Sequence, residues 1–263
     1  MKANDSTSLF AEERRQQILQ MLKENSKIMV PDLCEHFGVS PATVRNDLRD
    51  LESTGELKRT HGGAIPVGKA SFELNSLEKE VAHRDRKQRI AGFAATLIED
   101  GDTIALDTGT TTLELAKIIF SKHDLTVVTN DLKIASCLEN ESNANVVLVG
   151  GILRKGFHCT TGPSVQSQLA EYNVDKAFMA ANAISLEKGF TTPGIDLAEV
   201  KKTMISIASE VIFLVDSSKF GRISFINVAH LQDVDKIITD EDVGKNIITQ
   251  MQEEYESLEV HLV

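Results

Sequence analysis

The sequence predicts two folding units: a small helical unit closed by a hairpin over residues 9–66 and, after a linker at 67–75, an α/β domain with a mainly parallel sheet over 76–263. Three observations carry this. Three short amphipathic segments fall within the first 55 residues and are followed by two strand-like runs around a glycine turn. The composition then changes at a stretch holding Gly68, Lys69 and Ser71, which lacks strong periodicity. Beyond it, strand-like runs alternate with helical patterns to the end, as in a parallel sheet covered on both faces. With 263 residues, 41% of them hydrophobic and 25% charged, the chain carries enough apolar side chain for such cores.

From Glu12 to Lys23, Ile18, Leu19 and Leu22 form one apolar stripe at helical spacing. Pro31 fits the first turn of a second helix, where its missing N–H is harmless, and Leu33 and Phe37 mark its inner face until Gly38 ends it. Ser40 reads as an N-cap and Pro41 as the first residue of a third helix, whose inner face is Val44, Leu48 and Leu51 and which ends near Gly55. Glu56 to Arg59 and Ala64 to Val67 then flank the turn Thr60-His61-Gly62-Gly63.

In the second unit a helical pattern runs from Leu77 to Glu99 and leads into a strand at Thr103 to Leu106. Further strands are expected at Leu125 to Thr129, Asn145 to Val149, Lys176 to Met179, Val211 to Val215 and Lys236 to Thr239. No internal repeat or low-complexity tract interrupts the pattern.

A formal charge of −11 argues against a protein that binds nucleic acid with its whole surface, so any DNA contact must be local. Up to Pro66 the cations nearly balance the acids, which leaves the acidic excess in the remainder. No apolar run approaches the length of a spanning helix and the start lacks a secretory pattern, so a cytoplasmic protein with no membrane partner is expected. Cys34, Cys137 and Cys159 are scattered, with no CxxC and no histidine at metal spacing. Reduced thiols, no metal and no cofactor are therefore expected.

Helix, helix-turn-helix and hairpin make a winged helix-turn-helix, in which the third helix packs on the first two and turns polar side chains to the major groove. With Val44, Leu48 and Leu51 inward, Thr43, Arg45, Asn46 and Arg49 are left to meet base edges or phosphates, and Ser40 stands at the helix start. Arg59 and His61 are placed as a wing would be. The same anatomy also serves protein-interaction modules, and Asp47, Asp50 and Glu52 lower the positive potential of the third helix.

In the second unit Asp107-Thr108-Gly109-Thr110-Thr111-Thr112 follows a strand and opens a helix near Leu113, a geometry that aims backbone N–H groups and hydroxyls at an anion. It is no P-loop, because no GKS or GKT follows. The alternative is that Asp107 and the threonines only cap the helix. Asn130, Gly150-Gly151, Asn182 and Asp216-Ser217-Ser218-Lys219 also lie past strand ends, where open α/β sheets bind ligands.

Arg14-x3-Ile18-x3-Leu22, followed by Ser40-x2-Thr43-Val44-Arg45-Asn46-Asp47-Leu48 and Leu51-Glu52-x2-Gly55-x-Leu57-x-Arg59-x-His61-Gly62-Gly63-Ala64, resembles the signature of the DeoR family of bacterial regulators. Pro31 and Asn46 depart from it, the latter where a second arginine is common. The resemblance continues from about Leu77 to Asp242 through the Asp107 loop, Asn130, Gly150-Gly151, Gly162-Pro163, Asp175-Lys176-Ala177-Phe178, Gly189-x-Thr191-Thr192-Pro193, Glu199-Val200-Lys201 and Asp216-Ser217-Ser218-Lys219-Phe220-Gly221. It implies a sensor domain similar in fold to ribose-5-phosphate isomerase, with a ligand phosphate at Asp107 to Thr112 and Lys219 as countercharge. Where the family shows Gly-x-Asp-Gly or Gly-x-Asn-Gly, this chain has Ala180-Ala181-Asn182-Ala183, which puts two methyl groups into a loop that normally bears glycine, so a differently shaped sugar pocket is expected.

The expected function is therefore a DNA-binding transcription regulator, a repressor of a sugar-metabolism operon that binds double-stranded operator DNA as a homodimer or homotetramer and answers to a small phosphorylated sugar. The candidate effector residues are Asp107, Gly109, Thr110, Thr111, Thr112, Asn130, Gly150, Gly151, Asn182, Glu199 and Lys219. The competing enzyme reading casts Glu199 as a base and Lys219 as the cation of a sugar-phosphate isomerase. Against it, the lysine that such isomerases carry before a glycine-rich turn is missing from Phe190-Thr191-Thr192-Pro193-Gly194, and Asn182, where the resemblance implies an active-site aspartate, cannot serve as a base. A scaffold that does not bind DNA is a third reading.

Overall fold

The computed structural model describes residues 11–24, 27–54, 56–60, 62–66, 73 and 76–263. Two compact units divide the chain, the first ending at residue 72 and the second running from Glu73 to Val263. Most of the expected linker at 67–75 lies outside the described residues. Glu73 is the exception and corrects the boundary, since its carboxylate is ion-paired with Lys79 and Arg154 inside the second unit.

The first unit is a winged helix-turn-helix. Helix α1 (Ala11–Glu24) leads to a two-residue strand β1 (Ile28–Met29), helix α2 (Val30–Phe37), helix α3 (Pro41–Ser53) and the hairpin of β2 (Leu57–Thr60) and β3 (Gly63–Pro66). Pro31 sits in the first turn of α2, and Gly38 closes that helix at φ 63°, a conformation that costs glycine no Cβ clash. Ser40 caps α3 by accepting the Thr43 N–H at 3.2 Å. The sequence pattern missed β1, which pairs with β3 and makes the wing a three-stranded sheet in the order β1-β3-β2. Two residues are too short for a period-2 signal. Ile18, Leu22, Leu33, Val44, Leu48, Leu51 and Leu57 form the buried core.

The second unit is built on a seven-stranded, wholly parallel sheet. Two helices precede it, α4 (Ser76–Val81) and α5 (Arg84–Thr96). They replace the continuous helix expected from Leu77 to Glu99, because His83 at φ 53° turns the chain between them. Then come β4 (Thr103–Leu106), α6 (Thr110–Ala116), β5 (Thr126–Thr129), α7 (Leu132–Glu141) and β6 (Asn145–Leu148). A hairpin of β7 (Ile152–Arg154) and β8 (Cys159–Thr161) leads into α8 (Pro163–Leu169) and β9 (Val174–Ala180). After β10 (Ala183–Ser185) and β11 (Gly189–Thr192) follow α9 (Ile195–Ser206), β12 (Ala208–Leu214), β13 (Ile226–Ala229), β14 (Lys236–Thr239), α10 (Lys245–Glu254) and β15 (Glu259–Leu262). Helix α6 starts at Thr110, three residues before the expected Leu113.

The sheet order is β15-β14-β12-β9-β4-β5-β6, with β10, β11 and β13 forming a separate small antiparallel sheet. The chain thus builds outward from β4 through β5 to β6, returns to β9 on the other side of β4, and builds outward again through β12. Strand side chains alternate between two cores: Ile104, Leu106, Phe178, Ile212 and Leu214 enter one, and Ala105, Ala177, Met179, Val211 and Phe213 the other. Both faces are covered, which is why these strands read as nearly continuous apolar runs.

Arg14 on α1 and Asp47 on α3 form a buried, two-bond ion pair, with Nη2 to Oδ1 at 3.1 Å, that joins the first and third helices. The Arg14 guanidinium is held above its usual pKa, chiefly by its hydrogen bond to Asp47 and against the effect of burial. Removing one partner strands a buried charge, so Arg14→Ala is expected to lower the stability of the first unit by about 3 kcal/mol, read by chemical denaturation.

Candidate functional site

On α3, Val44, Leu48 and Leu51 are buried, whereas Arg45, Asn46 and Arg49 are exposed and Thr43 is half-buried beside Ser40. The acids that lower the potential of this helix are taken up elsewhere. Asp47 turns inward to Arg14, Asp50 pairs with Arg15, and Glu52 accepts from the Arg59 backbone N–H at 2.9 Å and Nε at 2.6 Å. Among the described residues, Arg45 and Arg49 have no ion-pair partner. Arg59, expected at the tip of the wing, lies on β2 opposite Ala64 and is tied back to α3 through Glu52. His61 lies outside the described residues.

In the second unit a cleft opens at the carboxyl ends of β4, β9 and β12. The topology places it there. Strands β4 and β9 are neighbours whose onward connections leave in opposite directions, so the loops after them part and leave a crevice. The turn after β4 supplies Thr108 to Thr111, the end of β9 supplies Ala180, Ala181 and Asn182, and the loop after β12 supplies Asp216 and Lys219.

Beneath these loops lies a fully buried ion pair. Asp107, the first residue past β4, accepts from Lys201 Nζ on α9 and from the Ala180 N–H at 2.9 Å, and Lys201 also donates to the Ala180 carbonyl at 2.8 Å. The walls are strongly cationic. Lys79, Lys87, Arg154, Lys201 and Lys219 all line the cleft. Lys219 approaches Asp216 only to 3.9 Å. Burial pulls the Lys87 ammonium down to about 8, with Asp216 acting in the opposite sense, and Lys87 Nζ donates to the Lys79 carbonyl. Burial likewise lowers Lys79, against the pull of Glu73. Asp216 is held below the usual carboxylate range because the charge of Lys219 and the bonds from Ser218 outweigh its burial.

The structure brings Gly109, Thr110, Thr111, Asn182 and Lys219 to this one cleft, as the sequence pattern anticipates. It removes six other candidates from the lining. Asp107 forms the floor, and Thr112 is buried with its hydroxyl donating to the Gly109 carbonyl. The helix-capping alternative fails too, because Gly109 is the N-cap of α6 and no side chain caps it. Asn130 is buried and donates to the Thr160 carbonyl at 2.7 Å. Gly150 and Gly151 lie past β6, beyond β5 from the cleft. At Gly151 a Cβ would come within 2.4 Å of Val165 Cγ2, so that glycine serves packing. Glu199 lies on α9 away from the cleft and pairs with Lys202, so the base proposed for an isomerase is absent from it. Ala180 and Ala181 line the cleft, but Ala183 is buried in β10.

Sequence reasoning missed Glu73, Lys79, Lys87, Arg154 and Lys201. The first four lie on a presumed linker, an amphipathic helical pattern and an unrecognised hairpin, none of which points to a strand end. Lys201 alone had a signal, standing two residues after Glu199 in the same Glu199-Val200-Lys201 motif, with the helical turn deciding which of them faces inward.

Residues 14–69 match the DeoR-like helix-turn-helix domain, and residues 82–241 match the DeoR C terminal sensor domain. The chain belongs to the DeoR family. Among its relatives, the HTH-type transcriptional regulator GlpR of Haloferax volcanii is 37% identical over 228 residues, covering 87% of this chain and 89% of that one. A putative aga operon transcriptional repressor of Escherichia coli O157:H7 is 34% identical over 233 residues, covering 88% and 87%. Of solved structures, ribose 5-phosphate isomerase A from Methanocaldococcus jannaschii aligns with 53% of this chain and 55% of its own at 21% identity and a TM-score of 0.41.

Within this DeoR-family sensor, Ala180 constrains Gly109. A Cβ on Gly109 would stand 2.7 Å from Ala180 Cβ. Gly109→Ala is expected to destabilise the unit by about 1–3 kcal/mol through this overlap, and Gly109→Ala combined with Ala180→Gly to recover most of it. A double-mutant cycle of unfolding free energies checks the pairing.

Proposed function

We propose that this regulator represses a sugar-metabolism operon in the cytoplasm, binding double-stranded operator DNA as a symmetric homodimer or homotetramer, and that a small phosphorylated sugar in the cleft relieves the repression. The charge of the cleft carries the effector half of this reading. Five cations, Lys79, Lys87, Arg154, Lys201 and Lys219, face Glu73, Asp216 and the underlying Asp107. With Glu73 in place the surplus is two positive charges and without it three, enough in either case for a phosphate monoester, which carries about two negative charges at neutral pH. Thr110 and Thr111 add hydroxyl donors, and Asn182 offers an amide to the sugar. No catalytic step is assigned: Asn182 cannot act as a base, and Glu199 is paired outside the cleft.

For the operator half, α3 lies in the major groove. Arg45, Asn46 and Arg49 read base edges, Ser40 and Thr43 meet phosphates, and Arg59 and His61 belong to the wing. Support comes from the pairing of Asp47, Asp50 and Glu52 with cations, which leaves the outward arginines unopposed. Arg45→Ala and Arg49→Ala are each expected to weaken operator binding by about 1–3 kcal/mol per protomer with the fold intact. Wild-type affinity of both variants in a gel-shift titration removes α3 from the groove.

The effector is tested by titrating operator-bound protein with phosphosugars and with the corresponding free sugars. Phosphorylated sugars are expected to release the wild type, and Lys219→Ala and Thr110→Val to stay bound at the same concentrations. Equal response to free and phosphorylated sugar, or unchanged response in both variants, overturns the reading.

Lys87 gives this binding a pH signature. Its pKa of about 8 in the free protein rises when a dianion arrives, so the complex holds its proton more firmly. Effector affinity is then lost as pH rises through about 8 and levels off above the raised value. Lys87→Met is expected to flatten this alkaline limb in calorimetric titrations.

A further inference from the structure

Glu73 is an anion already seated in a cleft built for anions. Its carboxylate is nearly enclosed, ion-paired with Lys79 and with Arg154 at 2.7 Å, and it accepts from Asn182 Nδ2 at 3.0 Å. The Arg154 guanidinium is itself braced over the Phe157 ring at 3.7 Å, so this receptor for a carboxylate is assembled by the hairpin of β7 and β8, by α4 and by the end of β9 together. Burial works to raise the Glu73 carboxyl, yet the charges and hydrogen bonds of Lys79 and Arg154 hold it at about 2, so it is ionised at every physiological pH. Glu73 is also the first residue of the α/β unit.

We propose that Glu73 is an internal competitor of the effector, occupying Lys79, Arg154 and Asn182 until a phosphate displaces it, so that effector binding releases the first residue of the α/β unit. The proposal rests on the phosphate reading of the cleft and specifies its regulation. A phosphate entering beside Lys219 and Thr110 meets Lys79 and Arg154 in the same cleft, and those two cations are matched one carboxylate short of neutrality while Glu73 stays. Phosphate and carboxylate repel each other and compete for the same N–H donors. The ligand therefore binds the state without Glu73 more tightly than the state with it, and that difference is what moves the equilibrium. An uncharged sugar makes no such demand.

The test measures inorganic phosphate binding to the full chain by calorimetry for the wild type, Glu73→Gln and Lys219→Ala. Glutamine keeps the size and an acceptor oxygen but removes the charge. Glu73→Gln is expected to bind phosphate at least tenfold more tightly than the wild type, and Lys219→Ala more weakly. Phosphate is also expected to speed amide exchange at Ser76 in the wild type, where that N–H is bonded to the Gly156 carbonyl at 3.0 Å beside the Glu73 anchor. This second readout stands even if Glu73→Gln fails to fold. Weaker binding by Lys219→Ala together with equal or weaker binding by a folded Glu73→Gln overturns the competitor role and leaves the phosphate site standing. Slower or unchanged exchange at Ser76 overturns the expulsion. No effect of Lys219→Ala and no phosphate binding by any form overturns the site reading beneath both.

Discussion

Asp107 and Lys201 meet where the two halves of the parallel sheet diverge, both buried, with Ala180 clamped between them through its N–H and its carbonyl. Two charges removed from water are costly, and such a pair is weak evidence of stability on its own account. Its consequence here is positional. It joins the residue after β4, the last residue of β9 and the middle of α9, which are the three pieces that form the floor of the cleft. With that floor fixed, the turn from Thr108 to Thr111 and the segment from Ala180 to Asn182 face each other at a set distance. The contact between Gly109 and the Ala180 methyl follows from the same constraint.

Charge is layered above this floor. The deepest pair is internally neutral, so it adds no net attraction for an anion. Lys219, only loosely engaged by Asp216, and Lys79 and Arg154, which share Glu73, stand nearer the mouth. The attraction for an anion is thus concentrated in groups whose present partners are either distant or shared. On the reading proposed above, such a site would discriminate by charge first and by shape second, since an approaching neutral ligand gains nothing from the surplus.

The winged helix solves a related problem by the opposite means. A chain with a formal charge of −11 repels DNA over much of its surface, although salt screens that repulsion beyond about 8–10 Å. The local potential at α3 therefore matters more than the total. Arg14, Arg15 and Arg59 neutralise Asp47, Asp50 and Glu52 from the far side of the helix or from the wing. Cations spent on holding the fold leave Arg45 and Arg49 as the outward charge.

By itself the sequence determined those features that depend on neighbours a few residues apart. The three helices of the first unit, the Ser40 cap, the Gly38 stop, six strands of the parallel sheet and the placing of Gly109, Thr110, Thr111, Asn182 and Lys219 past strand ends all follow from periodicity, capping and turn chemistry, with the family motifs adding the assignment of a sensor domain. Tertiary structure alone decided what depends on residues far apart in the chain. Glu73 sat in an apparent linker until Lys79, Arg154 and Asn182 surrounded it, the last 109 residues distant. Asp107 reads as a cap or a ligand group until Lys201, 94 residues on, claims it as structure. Glu199 and Lys201 differ by two positions and sit on opposite sides of one helix, and only the packing of α9 on the sheet determines which of them reaches the cleft. A carboxylate looks the same in sequence whether its partner is water, a ligand or a buried lysine. The partner is chosen by the fold.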